Sequence, residues 1–449
     1  MSRTGIKILA VLGALIALGL AFSAGRLAQT LVQPAQKLTI PDGATTNADL
    51  AWDNFIVAQE EAIAFIRTQD QFETSSLSRA AGYQAVMRNM IKAIELSGFS
   101  DPDVPHFTRI ADFTAKSGMD NPDNEYRMSR IRGEAEYRIT GQTLSGRILY
   151  IQTMAGEPGV GAAGPGEIID TIGPERLVKN PDGGFAIVLS AQKPEGASNW
   201  LRLAPGEGSV IVRYTDKSWS QTHPQDWLYI ERLCDDCPHS AAALTEAEIA
   251  SAMNRAARSL HDRTTMWTGI ANRIWQFVGR NEIGKVRETP SGLKGQYSAF
   301  GTFDLKPDEA LILTLPDTQA DYLGVQLASR WFVSLDYRTH ISSLTRAQTR
   351  PDSDGAIRYV IAHKDPGVWN WLDPAGYKEG LIMIRWQGLE GQGLEGQGLG
   401  GKPDNQPQAQ LVKLDDLAAH LPPETVFVTP PERREQLKQR LRSIGLRFQ

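Results

Sequence analysis

Residues 182–214 read DGGFAIVLSAQKPEGASNWLRLAPGEGSVIVRY, and residues 354–386 read DGAIRYVIAHKDPGVWNWLDPAGYKEGLIMIRW. Both run Asp-Gly, an apolar segment, Lys and Pro, Asn-Trp-Leu, a Gly-containing turn, a second apolar segment, and Arg followed by an aromatic. Asn199 and Arg213 lie 14 positions apart, Asn370 and Arg385 lie 15 apart, and Lys193 and Pro194 answer Lys364 and Pro366. A shared order of so many residue types indicates two copies of one β unit. In each copy Asp-Gly supplies a turn that tolerates positive φ. The Asn-Trp pair makes a connection in which the indole buries area and Asn bonds nearby backbone. The functional alternative makes Asn199/Trp200 and Asn370/Trp371 paired platforms for a sugar or lipid, but recurring turn residues more often make the fold.

The same period extends outward. AEYRITG, GRILYIQTM and DWLYIERL in the first half, and ALILTL, YLGVQLASRWFVSL, IRYVIAH and LIMIRW in the second, are short alternating or β-branched runs bounded by Gly, Pro and Asp. Three segments instead carry helical spacing. They are residues 49–69, residues 75–98 with a stripe of Leu77, Tyr83, Met87, Met90, Ile91 and Ile94, and residues 245–278 capped by Thr245 with Glu248 three residues on. The stripe predicts a core-facing surface, with Ser75 or Ser76 as N-cap and Gly98 as stop. The basic terminal segment PERREQLKQRLRSIGLRF reads as a helix with a solvated charged face. AGEPGVGAAGPGE at 155–167 and GLEGQGLEGQGLGGK at 388–402 are loop compositions.

Ahead of all this, Arg3 and Lys7 precede an uncharged run from Ile8 to Gly25, long enough to cross a bilayer core. Positive residues on its N-terminal side predict a single-pass inner-membrane anchor with the bulk of the chain periplasmic. The alternative is a cleaved signal peptide, for which Phe22 spoils the small-residue pattern around Ala21, Ser23 and Ala24. The expected organisation is an anchor or signal over 1–30, tether and helices over 31–118, a first β domain over 119–244, a helical connector over 245–285, a second β domain over 286–430 and a C-terminal helix over 431–449. The fold class expected is mainly β (α+β): tandem related antiparallel β-sandwich or jelly-roll-like domains with added helices and an N-terminal transmembrane helix. In 449 residues, 41% are apolar and 22% charged, which is a globular composition, and a formal charge of −5 leaves no basic footprint for nucleic acid.

MDNPDNEYRMSRIRGEAEYRITG (119–141), the two Asn-Trp segments and RWFVSLDYRTHISSLTRAQTRPDSDG (330–355) resemble bacterial proteins of domain-of-unknown-function family 1214, often found beside family 1254. The likeness runs from about Ala80 to the C-terminus. It implies tandem, mostly β domains. It implies no settled activity, so no catalytic residue carries over.

Three clusters bear chemistry. In LCDDCPHS, Cys234 and Cys237 have redox or metal spacing with His239 nearby. Pro238 stands where haem attachment needs His, and a closed zinc site lacks its second Cys pair. In an oxidising compartment the pair reads as a small structural disulfide. Asp120, Asp123 and Glu125 are candidates for a carboxylate pair or an oxygen-rich cation site, against the plainer reading of a turn leading into strands near Tyr126. Arg330, Trp331, Asp336, Tyr337, Arg338, His340 and His363 have the residue types of a cleft for a polar ligand. Nucleophile-elbow, His-Glu-x-x-His and phosphate-loop motifs are missing, and SGLK at 291–294 matches Ser-x-x-Lys only at chance level. No cofactor or metal is implied. The function expected is binding or scaffolding of an envelope glycan or lipid, with a hydrolase of such a component as the alternative.

Overall fold

The computed structural model describes residues 45–161, 166–219, 226–234, 243–289, 293, 295–316, 318, 320–388 and 406–447. The expected membrane anchor, most of the tether, the 388–402 repeat beyond Gly388, Cys237 and His239 lie outside the described residues. Among the described residues no helix is long and apolar enough to cross a membrane.

The described residues are mainly β, with four sheets and a few helices. The helices are α1 (Ala48–Arg67), α2 (Ser76–Lys92), α3 (Glu246–Phe277) and α4 (Pro430–Arg447). In the first half, β1 (Thr108–Ala111), β2 (Asn124–Arg132), β4 (Ile148–Ala155), β5 (Glu167–Ile172) and β8 (Glu207–Thr215) form one sheet in the order β1-β2-β8-β4-β5. A second takes β3 (Glu136–Gln142), β6 (Gly184–Ser190), β7 (Trp200–Arg202) and β9 (Trp227–Leu233) in the order β7-β6-β3-β9. Alternating apolar positions of both sheets meet in one buried cluster that includes Ile151, Val212, Ile187 and Leu189.

The second half repeats this order. Its strands are β10 (Arg287–Glu288), β11 (Tyr297–Asp304), β12 (Glu309–Leu315), β13 (Tyr322–Ser329), β14 (Val333–Ser334), β15 (Ser343–Thr345), β16 (Ile357–Ala362), β17 (Trp371–Leu372), β18 (Glu379–Gln387) and β19 (Gln408–Lys413). The sheet β17-β16-β12-β19 answers β7-β6-β3-β9, and β11-β18-β13 answers β2-β8-β4. The short parallel pairings correspond as well: Val188 pairs with Trp200, and Val360 with Trp371.

The duplicated corners explain themselves atom by atom. Asn199 Oδ1 accepts from Val178 N at 2.8 Å, while its Nδ2 donates to Val178 O at 2.8 Å and Ala186 O at 3.0 Å. Asn370 repeats the set with Arg350 N at 2.8 Å, Arg350 O at 2.8 Å and Arg358 O at 3.0 Å. Trp200 Nε1 donates to Ser190 Oγ at 3.0 Å, and Trp371 Nε1 to Ala362 O at 2.9 Å. Both amides are fully committed to main chain.

The helices bridge the halves. Thr245 and Glu248 form the expected capping box at the start of α3, with Glu248 N donating to Thr245 Oγ1 at 3.2 Å and Thr245 N to Glu248 Oε2 at 2.7 Å. We predict that Thr245→Ala lowers stability by about 1 kcal/mol in urea denaturation, the usual worth of an N-cap. Ser75 caps α2, as expected, but the buried face of α2 is not the Leu77–Ile94 stripe. Leu77, Met87 and Ile91 are 36%, 59% and 42% exposed, whereas Ser78, Gly82, Ala85, Val86 and Asn89 are buried. Small residues win because a large one docks on them: the Trp331 indole lies where a Cβ on Gly82 would come within 2.8 Å, and its Nε1 donates to Ser78 O at 2.9 Å. The α4 helix also departs from a purely solvated reading, because Arg433, Arg440 and Ile444 are buried.

Candidate functional site

The segment 119–124 works as a clasp between the halves. Met119 has φ 54° and its N–H donates to Phe332 O at 2.7 Å, where Phe332 itself has φ 57°. The Asp120 carboxylate accepts from Ser334 N at 3.1 Å and Ser334 Oγ at 2.7 Å, and Gln326 Nε2 donates to Asp120 O at 2.9 Å. Asp123 accepts from Trp219 Nε1 at 2.8 Å and Tyr322 OH at 2.6 Å. Burial pushes the Asp123 carboxyl up, and these hydrogen bonds with the charges of Arg447 and Arg440 only partly oppose it. Glu125 is held by Arg127 at 2.7 Å and Arg147 at 2.9 Å. The turn reading of this stretch therefore describes its geometry, and the turn's partners are supplied from about two hundred residues away.

The second cluster is dispersed among separate partners. Arg330 pairs with Glu379 at 2.8 Å and lies over the Trp275 ring at 4.4 Å. The Asp336 carboxylate accepts from the N–H groups of Arg338 and Thr339 and from the Thr339 hydroxyl. Tyr337 is buried, with the Lys116 ammonium 4.2 Å from its ring centroid. The Arg338 guanidinium covers the Phe113 ring at 5.1 Å. His340 bonds Asp373 at 2.8 Å, and His363 Nε2 contacts Leu305 O at 3.1 Å. Cys234 is disulfide-bonded. Among the described residues no three His, Cys, Asp or Glu side chains gather as a metal ion would require.

A site emerges instead where the two halves and α3 meet. A cavity of about 450 Å³ opens between the β2-β8-β4 and β11-β18-β13 surfaces. Its walls are apolar: Met119, Met128, Met154, Met383, Ile110, Ile211, Trp267, Phe300 and Phe332. Trp267 and Phe332 stack with centroids 5.7 Å apart. Met119 and Phe332, two of the five described non-glycine residues with positive φ, are both wall residues, and strain of this kind is concentrated at functional sites.

The polar lining includes the duplicated arginines, Arg213 of β8 and Arg385 of β18, together with Arg273 and with Arg263, which pairs with Glu157. Each guanidinium of the duplicated pair bonds a glutamine oxygen on the neighbouring strand, Gln152 for Arg213 and Gln326 for Arg385, and Arg385 Nη2 also donates to Met119 O at 2.7 Å. Among the described residues neither pairs with a carboxylate. Burial, and then the charge of Arg385 close by, holds the Arg213 guanidinium below its ordinary value. Asp120 is the one acid in the lining, and Ser334 already occupies it. Arg385 is buried and Arg213 half-buried, and a guanidinium withdrawn from water without a carboxylate partner favours an anion. An Arg near the C-terminal end of an apolar strand, repeated in both copies, is the sequence signal that marks this pair.

A search of curated proteins finds no match. A crystal structure of an uncharacterized protein from Burkholderia cenocepacia is 28% identical and superposes with a TM-score of 0.72, covering 81% of this chain and 97% of that one. The VPA0106 protein from Vibrio parahaemolyticus is 13% identical, with a TM-score of 0.42, covering 82% of this chain and all of the other. Residues 162–216, which span the first copy of the duplicated unit, match the model of the family described as "Protein of unknown function (DUF1214)".

Proposed function

We propose that this protein binds an amphipathic anion, a lipid-like molecule with an apolar chain and a carboxylate or phosphate head, in the cavity between its two halves. The observation that carries the reading is the uncompensated Arg213/Arg385 pair in the lining of a methionine- and aromatic-walled slot. Methionine and aromatic walls adapt to a flexible chain and offer few partners to sugar hydroxyls, which favours a lipid over a glycan. The size falls within the usual range of small-molecule sites, roughly 300–1,000 Å³. The two halves are read as tandem sandwich-like or jelly-roll-like copies of one ancestral unit, so the pair of arginines arose by duplication at the seam. The apolar run Ile8–Gly25 supports placement at the inner membrane, beside such ligands.

The test is equilibrium binding of laurate and of lauryl alcohol to the full chain. Laurate should bind saturably and the alcohol at least tenfold more weakly. Arg213→Gln and Arg385→Gln should each weaken laurate by roughly 10–100-fold, the worth of a charge-assisted hydrogen bond in a buried site. Arg213→Gln removes the side-chain hydrogen bond to Gln152, so its melting temperature serves as the folding control. Equal affinity for acid and alcohol, or unchanged affinity in both variants, overturns the reading.

A further inference from the structure

A second cavity, of about 650 Å³, lies on the other side of the clasp, between α4 and the segment 341–350. Gln436, Gln439, Arg440, Ser443 and Leu446 follow helical spacing, so α4 presents one face to it. The opposite wall carries Gln348, Arg350, Trp369 and Trp219, over a floor of Ile341 and Leu344.

The lining contains three arginines and no carboxylate. Arg440 is buried, its Nε donating to Tyr337 O at 2.5 Å and its Nη2 to Ser343 Oγ at 2.6 Å, both neutral partners. Arg350 stacks on Trp369 with 4.2 Å to the centroid, and Arg440 on Trp219 at the same distance, which holds both guanidinium planes in place. Burial pushes Arg440 down to about 9, with the nearby Asp123 carboxylate only partly restoring it.

The amides add donors. Gln348 Oε1 is taken by Thr345 N at 2.9 Å, and Gln436 Oε1 by Arg433 Nη1 at 2.7 Å, which leaves their NH₂ groups as the free ends. The Trp219 and Trp369 ring N–H groups are used by Asp123 and by Gln348 O. Trp219 is held at φ 60°, so this wall too contains a strained residue.

We propose that this groove is a separate binding site for a multiply charged small oxyanion, a phosphate ester or a polycarboxylate. A wall of fixed guanidinium and amide donors, short of acceptors, matches a ligand that carries several acceptor oxygens and more than one negative charge. The site stands on its own lining and shares no lining residue with the slot between the halves.

The experiment titrates the full chain with pyrophosphate and, separately, citrate, following heat and tryptophan fluorescence, with acetate as control. Saturable binding of pyrophosphate alone assigns phosphate esters, and of citrate alone polycarboxylates; either supports the site. Arg350→Gln and Arg442→Gln replace exposed side chains, and each should weaken the bound anion about tenfold, the scale of one lost charge-assisted contact, with laurate binding unchanged. Tryptophan fluorescence should change on binding because Trp219 and Trp369 are in the wall. No saturable binding of either anion, or wild-type affinity in both variants, overturns the proposal whatever the outcome for laurate.

Discussion

Asn199→Ala and Asn370→Ala should each lower the stability of the fold by about 3 kcal/mol, and by amounts that agree within about 1 kcal/mol. Each asparagine is buried, and each truncation strands one main-chain N–H and removes a donor from two carbonyls, at matched distances in the two halves. A buried backbone group left without its partner carries a desolvation penalty of roughly 1–3 kcal/mol, and water cannot readily repair it at a packed corner. Asparagine is the side chain that offers one acceptor and two donors from a short stem. Asp should therefore fail nearly as badly as Ala, because it cannot donate to Val178 O and Ala186 O, or to Arg350 O and Arg358 O. Urea denaturation of the four variants checks this. A loss below about 1 kcal/mol at either position would show that the corners are ornaments on the fold rather than equivalent fastenings.

These corners were legible in the sequence because their partners are close along the chain: Asn199 reaches Ala186 13 residues back, and Asn370 reaches Arg358 12 back. The same locality made the strand runs and the Thr245–Glu248 cap readable. What could not be read was anything decided by distant pairing. Asp123 looks like a catalytic acid or a turn residue until Tyr322, 199 positions away, donates to it. The α2 stripe misled because hydrophobicity ranks Met87 and Ile91 above Gly82 and Ser78, while the face that packs was chosen by the shape of Trp331 from another part of the chain. The cavity between the halves draws on residues from Ile110 to Arg385, so no local window contains it. The two of its arginines that lie on strands, Arg213 and Arg385, were nevertheless visible, as matched members of the repeat.

Arg147→Met should be the most damaging single change to the first half, with an expected loss of about 3–5 kcal/mol near neutral pH. The guanidinium lies between two buried carboxylates, Glu125 at 2.9 Å and Asp226 at 2.7 Å, with side-chain exposures of 6%, 4% and 0% for Arg147, Glu125 and Asp226. It also covers the Tyr214 ring at 4.4 Å. Burial alone would push both acids up. For Glu125 the charges and hydrogen bonds of Arg127 and Arg147 overcome it, and for Asp226 the hydrogen bonds of Ser145 and Arg147 do, so both sit below their ordinary range. A depressed carboxyl contributes stability that is present above its unfolded value of about 4 and is lost as pH falls through the folded one. The wild type should accordingly weaken on acidification below about pH 4. Without Arg147 the desolvation of both carboxylates is opposed far less, and protonation relieves it. The difference between wild type and variant should therefore shrink as the pH is lowered from 7 to 4, measured by urea midpoints across that range. A difference that grows with acidity would mean that Glu125 and Asp226 are not held ionised by Arg147, and would return Glu125 to the list of groups free to act as an acid.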